Sequence, residues 1–177
     1  MAPSIDTGMS RAPGAGDMFL KVKGAKHGDI TGEAQDQKHK NEIEVLAWSW
    51  GMQGKSSLGG GGATGKASMR ELRITKWIDK SSTALMSALR SNELIKEATL
   101  TLRKVGKTPL EYLKIKIEDG RVMAIDLDAG DASGAPTLIE RVSLSFNKIS
   151  VEYTPQGADG LPQGSTSFED EWTTAAG

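Results

Sequence analysis

The chain has 177 residues, 22 lysines and arginines against 23 aspartates and glutamates, and no cysteine. That length suits one domain, able to bury roughly 70 % of its unfolded surface without a staple. The charge balance leaves no net field to draw nucleic acid or an anionic membrane, and the missing cysteines exclude disulfides, Cys-ligated zinc, iron–sulfur clusters and a thiol nucleophile. No apolar run approaches the roughly 18 residues of a membrane-spanning helix, so no membrane insertion is expected.

Residues 1–16, MAPSIDTGMSRAPGAG, are Gly, Pro, Ala and Ser with scattered charge, the composition of a flexible arm. They also lack the basic start and apolar stretch of a signal peptide. The expected site of synthesis is the cytoplasm, with any export by a route that reads no cleaved signal.

From Asp17 onward the dominant period is two, the signature of half-buried strands. Met18, Leu20 and Val22 share one parity, with Lys21 and Lys23 opposite. A long charged crossing leads to a strand over 43–52 with apolar or small residues on both faces: Val45 and Ala47 on one, Leu46, Trp48 and Trp50 on the other. The second face needs cover, from the same chain or from another subunit. Residues 69–78 put Leu72, Ile74 and Ile78 on one side, with Arg73 and Thr75 opposite.

One segment breaks the pattern. In DKSSTALMSALRSNE, Ser81 or Ser82 is placed to cap a helix, and Leu85, Ala88 and Leu89 share a face, which predicts a helix over 82–91 closed near Asn92. Alternation resumes with Ala98, Leu100 and Leu102, then with Leu113, Ile115 and Ile117. Asp119-Gly120 reads as a two-residue hairpin turn, and Met123, Ile125 and Leu127 as the inward set of the returning strand. Over 138–153 the parity flips between Val142, Leu144, Phe146 and Ile149, Val151, Tyr153. A bulge or sheet-switching bend near Asn147-Lys148 would keep both sets inward. Residues 156–177 read as a C-terminal tail with Leu161, Phe168 and Trp172 as anchors. The reading is an all-β domain with one short helix, a small barrel or sandwich of two antiparallel sheets over 17–155.

The loop at 52–68 is too long for a hairpin connection and hides a decoy. Gly60–Lys66, GGGATGK, fits the phosphate-cradling pattern up to its last position, where Ala67 replaces the hydroxyl residue that ligates magnesium. The pattern also needs a following helix and a parallel sheet, whereas 69–78 alternates as a strand and the hairpin reading makes the sheet antiparallel. No cofactor is implied. His27 and His39, the two histidines, sit with Asp29, Glu33, Asp36 and Glu42 in the polar crossing and read as solvated loop residues rather than metal ligands. Asp126, Asp128 and Asp131 lack the terminal glutamate of a calcium loop, and Asp128–Gly134 reads as a turn. No serine has a histidine placed to suggest a nucleophile pair, and no catalytic residue is assigned. Trp48, Trp50 and Trp77 divide between core and subunit contact.

The ordered series FLKVKG (19–24), KHKNEIEVLAWSWG (38–51), TKWIDKSSTALMSAL (75–89), IKEATLTLRKVG (95–106), LEYLKIKIED (110–119) and ERVSLSFNKISVEYTPQ (140–156) resembles Hcp, the tube-forming haemolysin-coregulated protein of bacterial type VI secretion systems. The likeness covers about residues 17–155. It implies a β-barrel with a flanking helix, six copies closing into a ring, and rings stacking into an inner tube. It also implies a contractile sheath around the tube, a VgrG-type spike protein at its tip, effector proteins carried in its channel, and export without a signal peptide. In that family the loop over 52–68 reaches a neighbouring subunit or ring, so Gln53, Lys55, Ser56 and Leu58 are the expected contacts, with Trp48 and Trp50 as candidate interface aromatics. The implied role is structural, not enzymatic. The competing reading is a monomeric β-barrel that binds a small ligand between the tryptophans.

Overall fold

The structure is a computed structural model describing residues 16–54, 67–129 and 138–172. Among these residues it is mostly β, with one helix. The strands are β1 (Asp17–Gly24), β2 (Gly28–Ile30), β3 (Ile43–Ser49), β4 (Met52–Gln53), β5 (Ser68–Met69), β6 (Leu72–Trp77), β7 (Ile95–Lys104), β8 (Leu110–Ala129), β9 (Leu138–Ser145), β10 (Lys148–Tyr153) and β11 (Thr166–Glu171). The helix α1 spans Ser81–Arg90. Every strand pairing among the described residues is antiparallel.

Following the hydrogen bonds from β1 to β3, β6, β9, β8 and β7 returns to β1, so these strands close a barrel. β10 and β11 extend the sheet from β8, and β2 pairs alongside β1. Leu20, Val22, Ile43, Leu72, Ile74, Leu100, Ile115, Ile117, Val142, Leu144 and Ile149 fill the interior. Six strands close a barrel narrow enough for its own side chains to fill it.

Closure requires strands to turn corners, and here the outcome departs from the hairpin expected at Asp119-Gly120. β8 runs straight through that point: residues 110–120 pair with β7, and 121–129 pair with β9. Asp119 adopts φ 53°, and a Cβ on Gly120 would collide with the carbonyl oxygen of Ser145, so this Asp-Gly pair bends a continuous strand instead of reversing it. The adjacent corner is the sheet switch expected near Asn147-Lys148. β9 ends at Ser145 and β10 starts at Lys148 on the other sheet, with Val142, Leu144 and Ile149 all buried.

Two bulges rearrange parity elsewhere. Val45 faces Lys76 but Ala47 faces Thr75, so Leu46 is the extra residue, and beyond it Trp48 stands opposite inward-facing Ile74. Likewise Val122 faces Leu144 and Ala124 faces Ser143, which makes Met123 the extra residue. Met123 is therefore 50 % exposed rather than inward, and Leu127, on the inward parity, is 53 % exposed.

The helix begins one residue earlier than expected, at Ser81. Neither serine acts as a simple cap: Lys80 holds the N-cap position without a side-chain bond. Instead the Asp79 carboxylate accepts from the Ser81 N–H at 2.9 Å. The Ser82 hydroxyl donates to Glu140 Oε2 at 2.5 Å and accepts from Lys76 Nζ at 3.1 Å. The stretch read as a tail supplies β11, which pairs with β10 along its whole length, and the Trp172 ring meets Phe146 edge-on at 6.1 Å.

Candidate assembly surfaces

The root of the long loop is a two-stranded ribbon in which Met52 faces Met69 and Gln53 faces Ser68. The Ser68 hydroxyl donates to the Gln53 carbonyl at 3.3 Å, and the Gln53 side chain is exposed. Lys55, Ser56 and Leu58, together with Gly60–Lys66, lie outside the described residues. Beside the ribbon opens a cleft of about 460 Å³ between Met69, Arg70, Ser145, Phe146 and Trp172.

The outer face of the β3–β6–β9–β8 wall is polar and concave, with a groove of about 590 Å³ between Ser49, Arg73, Thr75, Asp126, Arg141 and Ser143. Arg141 pairs with Asp128 at 3.3 Å, so Asp128 is a strand residue in an ion pair rather than part of a turn. Trp48 and Trp50 are half-buried against the core cluster, while Trp77 is 39 % exposed on the outside of the wall. The Trp50 indole N–H is buried without a hydrogen-bond partner.

The opposite wall carries a ladder of charge. Across β11, β10, β8, β7, β1 and β2 the register aligns Glu171, Lys148, Glu118, Glu97, Lys23 and Asp29. One step along it aligns Glu169, Ser150, Lys116, Thr99 and Lys21. Lys116 reaches Glu118 at 3.2 Å and Glu97 at 3.3 Å, contacts that raise its pKa.

The crossing 31–42 folds over one end of this wall and takes His39 out of solvent, whereas His27 stays exposed in its loop. His39 is 7 % exposed and stacks on Phe19 at 4.4 Å; its ring nitrogens lie 2.8 Å from Glu42 and 2.9 Å from Glu111. Arg103 lies over the Phe19 ring at 5.2 Å and bridges Asp17 at 2.9 Å and Asp36 at 2.6 Å. The hydrogen bond from Arg103 holds the Asp36 carboxyl down at about 2. Burial alone would raise Glu111, but the bonds from Lys114 and His39 outweigh it and the carboxyl sits below its usual range. His27 serves the other end: buried Glu93 accepts from the N–H groups of Lys26 and His27 at 2.6 and 2.8 Å and meets His27 Nδ1 at 2.5 Å. Those bonds overcome burial and lower the Glu93 pKa. The glutamates Glu93 and Glu111 carried no signal in the sequence, since their contacts with His27 and His39 span 66 and 72 residues, whereas Glu42 lies only three residues from His39. Among the described residues, no group of three or more His, Asp or Glu is arranged to hold a metal, and no helix is long and apolar enough to cross a membrane.

The described residues thus form a closed antiparallel barrel with one helix, a ribbon at the root of the long loop and two outer walls. The family described as "Type VI secretion system effector, Hcp" matches residues 19–153. Protein hcp1 of Pseudomonas aeruginosa is 42 % identical over 151 residues, covering 84 % of this chain and 89 % of that protein. Among solved structures, Hcp1 from Salmonella typhimurium superposes with a TM-score of 0.69 at 35 % identity, covering 89 % of this chain and 95 % of that one. A further structure, of a type six secretion system protein, reaches a TM-score of 0.78 at 27 % identity, covering 90 % and 96 %. The chain belongs to the Hcp family of type VI secretion proteins.

Proposed function

We propose that the chain is a structural subunit of the type VI secretion inner tube: six copies close into a ring, rings stack, and the tube leaves the cell carrying effectors in its channel. The observation that carries this reading is the family match across residues 19–153, which takes in all of the closed barrel but the first two residues of β1. The packed interior supports a structural rather than a ligand-binding barrel, since the space a small molecule would need is filled by aliphatic side chains. The spike protein, the sheath and the effectors are the partners this role calls for, and cytoplasmic synthesis followed by export without a cleaved signal is its route.

In this reading Gln53, Lys55, Ser56 and Leu58 contact a neighbouring subunit or ring. Light scattering on purified protein is the test: a stable mass of six chains supports the ring, and a single-chain mass at every concentration overturns it. Deleting residues 54–66 is expected to abolish stacking and secretion, and unchanged stacking would remove the loop from the contact.

A further inference from the structure

The charged wall is polarised. At one edge, β11 exposes all six of its residues and has no strand on its far side among the described residues. Glu169 and Glu171 project to the outer face there with exposed Glu152 beside them; the side-chain partner of Glu169 is the Ser150 hydroxyl, at 3.5 Å. Lys148, their cross-strand neighbour, reaches the other way to Glu118 at 3.7 Å.

At the far side, over β1 and β2, the face is basic. Lys21, Lys23, Lys38 and Lys40 are exposed, and none makes an ion pair among the described residues, in contrast to Lys114, Lys116 and Lys148 in the middle of the wall. Lys21, Lys38, Lys40 and Asn41 border a cleft of about 280 Å³. Its two carboxylates are Asp29 and Glu42, and the Glu42 carboxylate is already held by His39 at 2.8 Å.

Four strand spacings of about 4.8 Å separate β11 from β1, so the acidic edge and the basic face lie about 19 Å apart along one sheet and cannot neutralise each other within one copy. Between copies they can. Two complementary, non-identical patches on one chain make a head-to-tail contact, the kind that closes a ring when its rotation is right. An uncovered strand edge also needs a partner or a charge guard.

We propose that the β11 edge of one copy, through Glu169 and Glu171, docks on the lysine face of the next, at Lys21, Lys38 and Lys40, and that this contact sets the direction of ring closure. The proposal rests on the ring reading above and names its lateral interface. An acidic edge meeting free lysines gains most at low ionic strength, because the Debye length falls from about 10 Å at 0.1 M salt to about 3 Å at 1 M.

Charge exchange in the full chain tests it, with solution mass as the readout and circular dichroism confirming the fold. Glu169→Lys with Glu171→Lys is expected to give single chains where the unaltered protein gives rings, and Lys21→Glu with Lys38→Glu and Lys40→Glu is expected to do the same. Carrying all five substitutions in one chain is expected to restore the ring, since both sides of the contact are then reversed. Rings that persist in both one-sided variants, or a folded five-substitution chain that stays single, overturn the proposal. Should a reversal prevent folding, the neutral pair Glu169→Gln and Glu171→Gln and a salt titration of the unaltered protein replace it; ring mass indifferent to both overturns the contact. A single-chain mass for the unaltered protein would overturn the ring reading itself, whereas rings indifferent to these charges overturn this contact alone.

Discussion

Two ionic clusters, built from similar residues, sit in opposite environments. Lys76 and Glu140 face each other across β6 and β9 and are 1 % and 0 % exposed, with Asp79 and Ser82 completing the set. Arg103, Asp17, Asp36, His39, Glu42 and Glu111 form a second cluster whose carboxylates keep partial contact with water. Removing one partner from a dry pair strands the other in low dielectric, whereas water repairs a broken surface pair. The first cluster therefore fixes where α1 docks on the wall, and the second tunes how firmly the crossing 31–42 lies on Phe19.

The largest expected effect follows directly. Lys76→Met leaves Glu140 buried without its cation and should cost about 3–5 kcal/mol, read from urea unfolding. Adding Glu140→Leu should recover much of that loss, because the fully buried carboxylate is then gone and only the partly exposed Asp79 lacks Lys76. A double variant no better than the single one would show that the pair's worth lies in its hydrogen bonds to Ser82 and Trp77 rather than in charge balance.

In the wetter cluster His39→Leu should cost about 2 kcal/mol, from two charge-assisted hydrogen bonds and the stack on Phe19. A loss as large as that of Lys76→Met would mean the crossing is as dry as the β6–β9 pair and would erase the contrast.

Much of this architecture was legible because alternation is a direct imprint of a half-buried strand. β1, β6, β7, the first half of β8 and the corner near Asn147-Lys148 follow from parity alone. What parity missed has three physical sources. A bulge at Leu46 moves Trp48 and Trp50 onto the inward parity, so a strand that reads as apolar on both faces has one core face and one polar wall. The same parity argument resolves 142–151, and applied to 45–50 it yields this bulge. At Asp119-Gly120 the positive φ that makes a tight hairpin also makes a barrel corner, and local sequence does not separate the two. β11 has no apolar period because every residue in it is exposed; the strand is specified by the free edge of β10, not by burial of its own side chains. Long-range ion pairs such as His39 with Glu111 have no local signature at all. Of the loop contacts named from family likeness, Gln53 is exposed at the root of the ribbon.

Acid separates the clusters more finely. Asp36 has its pKa lowered to about 2 by Arg103, so its contribution is fully present above the unfolded value of about 4 and disappears as pH falls through 2. Because the pair is partly exposed and screened, that contribution is about 1 kcal/mol. Stability followed by thermal melting should fall between pH 4 and 2, and Asp36→Asn should flatten that limb by about the same amount. An unchanged limb would assign the acid loss to other lowered carboxyls, Glu93 and Glu111.

The smallest effect concerns the indole N–H of Trp50, which is buried with no acceptor. A buried donor that makes no hydrogen bond already carries its desolvation cost in the folded state, so deleting it recovers what its unmade bond forfeits. Against that stands the lost area of the larger ring, half-buried on the core. The two oppose each other, and Trp50→Phe in a single-chain variant should shift stability by no more than about 0.5 kcal/mol in either direction. Repeating the substitution in assembled protein sharpens the point. If the N–H finds a carbonyl on a neighbouring copy, Trp50→Phe weakens assembly while leaving the isolated chain's urea midpoint in place, and the tryptophan then belongs to both the core and the interface.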